Sequence, residues 1–220
     1  MSETNDATTN PQRPNRRPLY ILSAVLFVLI FAMSSYVLFS AQNADDTTPE
    51  INRIESVGEI VDQPLTNFTF PASTGEDLSL SDFAGQYVML SFGYTSCPDV
   101  CPATLLEFRR IKAMLSEDAN IAFVFISVDG GRDTPQILDR YVQRFDPTFI
   151  GLQGDDTQLQ DIQDEYGLIY DIQENENTQA GYMVTHTASK FLINPEGDLI
   201  RVYSFTAEAQ AIADELRSML

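Results

Sequence analysis

A single histidine, His186, and only two cysteines, Cys97 and Cys101, stand in 220 residues. A closed structural zinc site takes four protein ligands, and no third Cys or second His exists to complete one. Basic residues are also scarce: 13 Lys and Arg stand against 32 Asp and Glu, for a net charge of −19. Three of the basic and two of the acidic residues fall in the first 40 positions, which leaves 10 Lys/Arg against 30 Asp/Glu downstream. Such a chain is repelled by nucleic acid and by anionic lipid headgroups. The charge fits a surface tuned for solubility or a salty surrounding first, and steering of a cationic partner second. No internal repeat is visible, which argues against a solenoid or an array.

Long apolar runs are equally rare, and the chain has one. LYILSAVLFVLIFAMSSYVLF, Leu19 to Phe39, carries no charge over 21 residues, about 30 Å of helix and enough to cross a hydrocarbon core. It exceeds the roughly 7–15 residues of a cleavable signal, and no small-x-small cleavage site follows it. It reads as an uncleaved transmembrane anchor. Arg13, Arg16 and Arg17 precede it, and the stretch behind it is acidic, so residues 1–18 are expected in the cytoplasm and the rest outside. A bacterial inner membrane, crossed once, with the domain in the periplasm, is the simplest case.

Residues 40–63 are polar and aperiodic and read as a flexible linker. Residues 64–220 suit one domain with a single core. YVMLSFGY, Tyr87 to Tyr94, and IAFVFISVD, Ile121 to Asp129, are near-continuous apolar runs, as expected of strands covered on both faces. Between them Pro102 to Leu115 aligns Leu105, Phe108, Ile111 and Leu115 on one helical face. That strand–helix–strand unit implies a parallel pair. Further helices fit Thr134 to Phe145 and Asp156 to Tyr166, the latter ended by Gly167. The chain closes with a hairpin, Ser189 to Ile193 and Leu199 to Phe205, around the turn Asn194 to Asp198, and a helix from about Thr206 that would bury Ala209, Ile212, Leu216 and Leu220. This order predicts an α/β, thioredoxin-like fold with an added N-terminal β-hairpin, Phe68 to Leu80.

Both cysteines lie in YTSCPDVCPATLLEF, residues 94–108, in the turn that opens the first helix. Helix N–H groups there favour a thiolate, and a spacing of four brings both side chains to one side. A stapling disulfide of so short a loop would stabilise by only about 2 kcal/mol, so a bridge placed for stability would span more chain. A redox dithiol is the stronger rival, although thioredoxin-like oxidoreductases mostly space their cysteines by two residues rather than three. His186 falls just before the strand Ser189 to Ile193, in a loop that this sheet can bring to the first β–α turn. Two thiolates and an imidazole form a soft three-point donor set that suits Cu(I). Cu(II) would need a carboxylate, a water or Met183 to complete its sphere. The pair therefore reads as a metal clamp first and a redox pair second. A thiol peroxidase, suggested by Thr95 two places before Cys97, is a third reading.

The stretches SFGYTSCPDVCPATL (Ser91 to Leu105), SVDGGRDTP (Ser127 to Pro135) and the region of His186 leading into FLINPEGDL resemble the Sco/SenC family, in the same order along the chain. The resemblance implies a membrane-anchored, thioredoxin-like copper metallochaperone with Cys97, Cys101 and His186 as ligands for one copper. It implies delivery to the copper A centre of cytochrome c oxidase subunit II, a copper donor protein and a thiol reductant for the pair. A carrier rather than an enzyme is expected, with thiol–disulfide oxidoreductase activity as the alternative. Two departures stand out. Gly130-Gly131 follows the Asp of the SVD motif, which suggests a looser loop, and Thr185 precedes His186 where the family often has an acidic residue. Of the remaining polar groups, Asp133 or Thr134 is expected to cap the second helix, with Arg132 paired to Asp133; alternatively Arg132 and Asp133 stand near the metal or face a partner. Asp129 is a group near the metal or facing a partner, and Asp99 caps the first helix or lends charge to the metal.

Overall fold

A computed structural model describes residues 29–35, 57–174 and 182–220. Residues 29–35, inside the apolar run, are helical and exposed. The rest of that run lies outside the described residues, and among the described residues no helix is long and apolar enough to cross a membrane.

From residue 57 onward the chain builds a six-stranded sheet and two ribbons. The strands are β1 (Glu59–Pro64), β2 (Thr69–Pro71), β3 (Asp77–Ser79), β4 (Tyr87–Gly93), β5 (Ile121–Ser127), β6 (Ile150–Gln153), β7 (Tyr170–Glu174), β8 (Tyr182–His186), β9 (Lys190–Ile193) and β10 (Asp198–Tyr203). The helices are α1 (Val100–Met114), α2 (Pro135–Val142), α3 (Asp156–Tyr166) and α4 (Ala209–Met219). The main sheet runs β1-β10-β9-β4-β5-β6. β4, β5 and β6 are parallel, and β9, β10 and β1 are added antiparallel. β4 and β5 read as apolar runs because they are central. Val88, Met89, Leu90 and Phe92 on one, and Phe123, Val124, Phe125 and Ile126 on the other, are all buried.

The expected hairpin near residues 68–80 is present as β2 and β3, with Phe68 and Phe70 stacked and buried. Ala72 bridges to Leu152 and ties this ribbon to β6. Gly167 ends α3 in the left-handed conformation, and Asp155 caps its start by accepting from the N–H groups of Thr157 and Gln158. That helix fits its sequence expectation residue for residue.

Three expectations change. Residues 59–63, placed in the linker, belong to β1, which pairs with β10 along an edge of the main sheet. Its exposed outer face, with Ile60 and Glu59 toward solvent, hid the strand from a search for apolar periodicity. Leu220 is not buried; it is 44% exposed because α4 ends at Met219. His186 does not sit in a loop but closes β8, which pairs with β7 in a separate two-stranded ribbon.

Candidate metal centre

The first half of the site is a tight exit from β4. Gly93 ends that strand where no side chain fits: a Cβ there would lie 2.8 Å from Cys101 Sγ and 2.5 Å from the Phe125 ring. The missing side chain lets Cys101 settle against the sheet. Tyr94 follows, buried, and its carbonyl accepts from the Cys97 N–H at 3.2 Å. Helix α1 then starts within the cysteine spacing, and Pro102 falls in its first turn, where a missing N–H costs nothing. Cys97 Sγ accepts the Cys101 N–H at 3.4 Å and a second N–H from Asp99. Asp99 holds the N-cap position without a side-chain capping bond, so its contribution to the sulfur is a backbone dipole.

These donors make the two thiols unlike. The Cys97 thiol is pulled down to about 3, chiefly because the Cys101 thiol donates to it. Cys101 is pushed up by that same shared proton and by burial. In the reduced protein Cys97 is the thiolate and Cys101 carries the proton. Both are free cysteines, Cys97 half-buried and Cys101 fully buried.

The second half of the site arrives on β8. His186 Nε2 lies 3.2 Å from Cys101 Sγ. Its Nδ1 lies 2.9 Å from the Thr187 carbonyl. A carbonyl can only accept, so Nδ1 carries a proton toward Thr187. In the neutral ring Nε2 then keeps its lone pair, turned to the sulfurs. Tyr94 packs edge-on against the imidazole at 5.8 Å and 88° and fixes its plane. The two sulfurs and a His186 nitrogen all lie within 4.8 Å of one another. An ion bound at about 2.0–2.3 Å to each donor needs separations of roughly 3.8 Å, so shifts of about 1 Å or less, opening the Cys101–His186 pair and closing any wider one, bring the set to that spacing. Among the described residues this is the one such group of Cys, His and carboxylates. Met183 lies on β8, but its side chain is outside the described residues.

Of the two candidates for the α2 cap, Thr134 holds that position and Asp133 does not. The buried Asp133 carboxylate accepts instead from the Thr95 N–H at 2.8 Å, the Thr95 hydroxyl and the Ser127 hydroxyl at 2.6 Å. It thereby bolts the cysteine loop to the end of β5. Arg132 pairs with Asp129 rather than Asp133. The loop at Gly130-Gly131 is not slack: a Cβ on Gly130 would lie 2.0 Å from the Gly154 carbonyl, and the Gly130 carbonyl accepts from Gln153 at 2.6 Å. Thr185 is exposed, because neighbours on a strand face opposite ways. Whatever residue stands there points away from the site that His186 faces.

Tyr94, Thr95, Ser127 and Thr187 thus hold the ligand candidates, and none had been assigned that role from sequence. Only the buried, apolar setting of the run ending at Tyr94 signalled the first of them. The other three act through contacts across 1 to 38 positions that no spacing rule encodes.

Comparison with known proteins places this geometry in context. The family model described as SCO1/SenC matches residues 61–220. The SCO2-like protein of Rickettsia prowazekii is 33% identical over 141 residues, 64% of this chain and 69% of the relative. The crystal structure of Arabidopsis thaliana ScoI with copper bound aligns with a TM-score of 0.65 and 28% identity, over 70% of this chain and 96% of that one. The solution structures of apo Sco1 from Thermus thermophilus give 0.66 and 32%, over 74% and 96%.

Proposed function

The chain belongs to the SCO1/SenC family, and on that footing we propose that it is a copper carrier that holds one ion between Cys97, Cys101 and His186 and passes it on during assembly of cytochrome c oxidase. The observation that carries this reading is the approach of His186 Nε2 to Cys101 Sγ at 3.2 Å, made by residues 85 positions apart, one in the first turn of α1 and the other at the end of β8. Copper bound in a solved relative at 28% identity supports the same cargo.

The donor set suits a carrier. Two thiolates and one neutral imidazole satisfy Cu(I) in low coordination. Cys97 is already ionised, so loading displaces one proton, that of Cys101. The Thr187 carbonyl keeps the Nδ1 proton away from the metal side, so the imidazole need not change tautomer. Cys97 is the more open sulfur, and a receiving thiolate would displace it first, leaving Cys101 and His186 to release the ion in turn.

The receiving site is the copper A centre of oxidase subunit II, the ion comes from a copper donor protein, and a thiol reductant keeps the pair reduced. Anchoring by residues 19–39 in a bacterial inner membrane, with the domain in the periplasm, belongs to the same proposal. The apolar run and the flanking arginines support it. The test is metal content of the reduced protein after loading and dialysis, with transfer to a soluble subunit II domain. One copper per chain, lost to the oxidase fragment, is the expected result; retention of no copper would overturn it.

A second reading, thiol–disulfide exchange, draws on the unlike thiols. A half-buried thiolate beside a buried, protonated partner is the arrangement in which one sulfur attacks and the other resolves. Disulfide turnover indifferent to His186→Ala would favour it.

A further inference from the structure

A groove of about 670 Å³ runs beside the cysteine loop, lined by Thr95, Ile137, Arg140, Tyr141, Gln143 and Arg144. It adjoins the site through packed side chains. Cys101 Sγ and the Phe125 ring close on Gly93, and Phe125 packs on Tyr141 at 5.6 Å. Tyr94 turns to His186, whereas its neighbour Thr95 turns to Asp133 and the groove.

The groove is cationic in a chain of net charge −19. Lys112, Arg132, Lys190, Arg201 and Arg217 each pair with a carboxylate. Arg140 and Arg144 do not, among the described residues; Arg109 and Arg110, on the exposed side of α1, are the other two. The acids near the groove are otherwise engaged. Asp133 is held by Thr95 and Ser127, and Asp139 accepts from Gln143. Arg140 lies in α2 and Arg144 two residues past its end, and Arg144 lies over the Tyr141 ring at 4.8 Å. Tyr141 is 4% exposed, and its hydroxyl has no hydrogen-bond partner among the described residues.

We propose that this groove binds the carboxylate of a small anionic thiol or of its disulfide, and so selects the reagent with which Cys97 and Cys101 exchange. The inference rests on the thiol-exchange reading above and deepens it. Two exposed guanidinium groups without an acidic partner among the described residues match a carboxylate, and the neighbouring thiols explain why the same molecule would carry sulfur. The Cys97 thiolate attacks the disulfide of the reagent; one S–S bond breaks, a mixed disulfide forms on Cys97, and one thiolate leaves. The Cys101 thiol gives up its proton to solvent and attacks the Cys97 sulfur, forming the intramolecular bridge and releasing the second thiolate. The protein pair loses two electrons and the reagent gains them. In reverse, two molecules of the anionic thiol reduce the bridge and ready the pair for metal.

The experiment compares three disulfides on the reduced full-length protein at low salt: oxidised glutathione (anionic), hydroxyethyl disulfide (neutral) and cystamine (cationic). Stopped-flow thiol loss is the readout. Glutathione disulfide should react about tenfold faster than its intrinsic reactivity against the other two predicts, an advantage that fades with salt. The exposed double variant Arg140→Gln/Arg144→Gln should abolish that advantage and leave the neutral rate unchanged. Arg140→Glu/Arg144→Glu should invert it toward cystamine. Discrimination that survives both double variants, with circular dichroism intact, would overturn the groove and return the arginines to an acidic protein partner. Absence of exchange with all three disulfides would overturn the exchange reading and this proposal together, while copper retention would still stand or fall by itself.

Discussion

The two halves of the candidate metal centre are built to different standards of rigidity. Cys97 and Cys101 leave the central strand β4, and their loop is held by Gly93 beneath and by Asp133 at the side. The helix behind them is clamped as well. Lys190, fully buried on β9, bonds Glu107 of α1 at 2.6 Å and the carbonyls of Phe205 and Ala207 at 3.3 Å. His186 stands at the end of a two-stranded ribbon that shares no ladder with the main sheet. Its restraints are the Thr187 carbonyl and the edge of Tyr94. Thr187 in turn bonds the Gly167 carbonyl at 3.0 Å and the Ile169 N–H at 2.9 Å, which moors the ribbon just behind α3. A carrier gains from this asymmetry. The sulfur side is preset, and the imidazole side can give way when the ion leaves.

Removing each half in turn should expose that difference. Cys101→Ser is expected to lower Cu(I) affinity on the order of a thousandfold, about one ligand's share of the binding energy of a closed site. His186→Ala should cost less, about a hundredfold, because two thiolates still hold Cu(I) in a linear geometry. Competition with a chromogenic Cu(I) chelator measures both. Equal losses would erase the proposed asymmetry.

The clamps behind the sulfurs should separate stability from affinity. Lys190→Ala leaves the Glu107 carboxylate partly buried without its cation and is expected to destabilise by about 3–5 kcal/mol in urea unfolding. Its copper affinity, where folded, should hold. Asp133→Asn loses a charged acceptor of three bonds and should cost about 1–3 kcal/mol. It should also weaken copper by about tenfold, since it fixes the loop that positions Cys97. An Asp133 variant with unchanged affinity would show that the loop orders itself without the bolt.

The smallest effect is a pH slope. Because Cys97 is ionised well below neutrality and Cys101 is not, one proton leaves on loading between pH 7 and 8.5. Affinity should therefore rise about tenfold per pH unit. Two ordinary thiols, both protonated at pH 7, would give a slope near two.

Much of this arrangement was readable in the residues. The apolar runs of β4 and β5 could only be covered strands, the cysteine pair had to fall where β4 passes into α1, and Asp155 and Gly167 bounded α3 by local chemistry alone. The sequence-level likeness to the Sco/SenC family named the same three ligand candidates that the fold brings together. What stayed hidden was non-local or two-sided. β1 is an edge strand with a wet outer face and no apolar period to betray it. β7 and β8 form a ribbon apart from the main sheet, so His186 read as a loop residue. The cap of α2 could be read from sequence as either Asp133 or Thr134, and Thr134 holds it; the partner of Asp133, Thr95, is 38 positions away.

X-ray absorption at the copper edge of the reduced, Cu(I)-loaded protein tests the central claim most directly. Two sulfurs at about 2.3 Å and one nitrogen at about 2.0 Å are expected, with the nitrogen shell lost in His186→Ala. A two-sulfur spectrum that the substitution leaves unchanged would contradict the account.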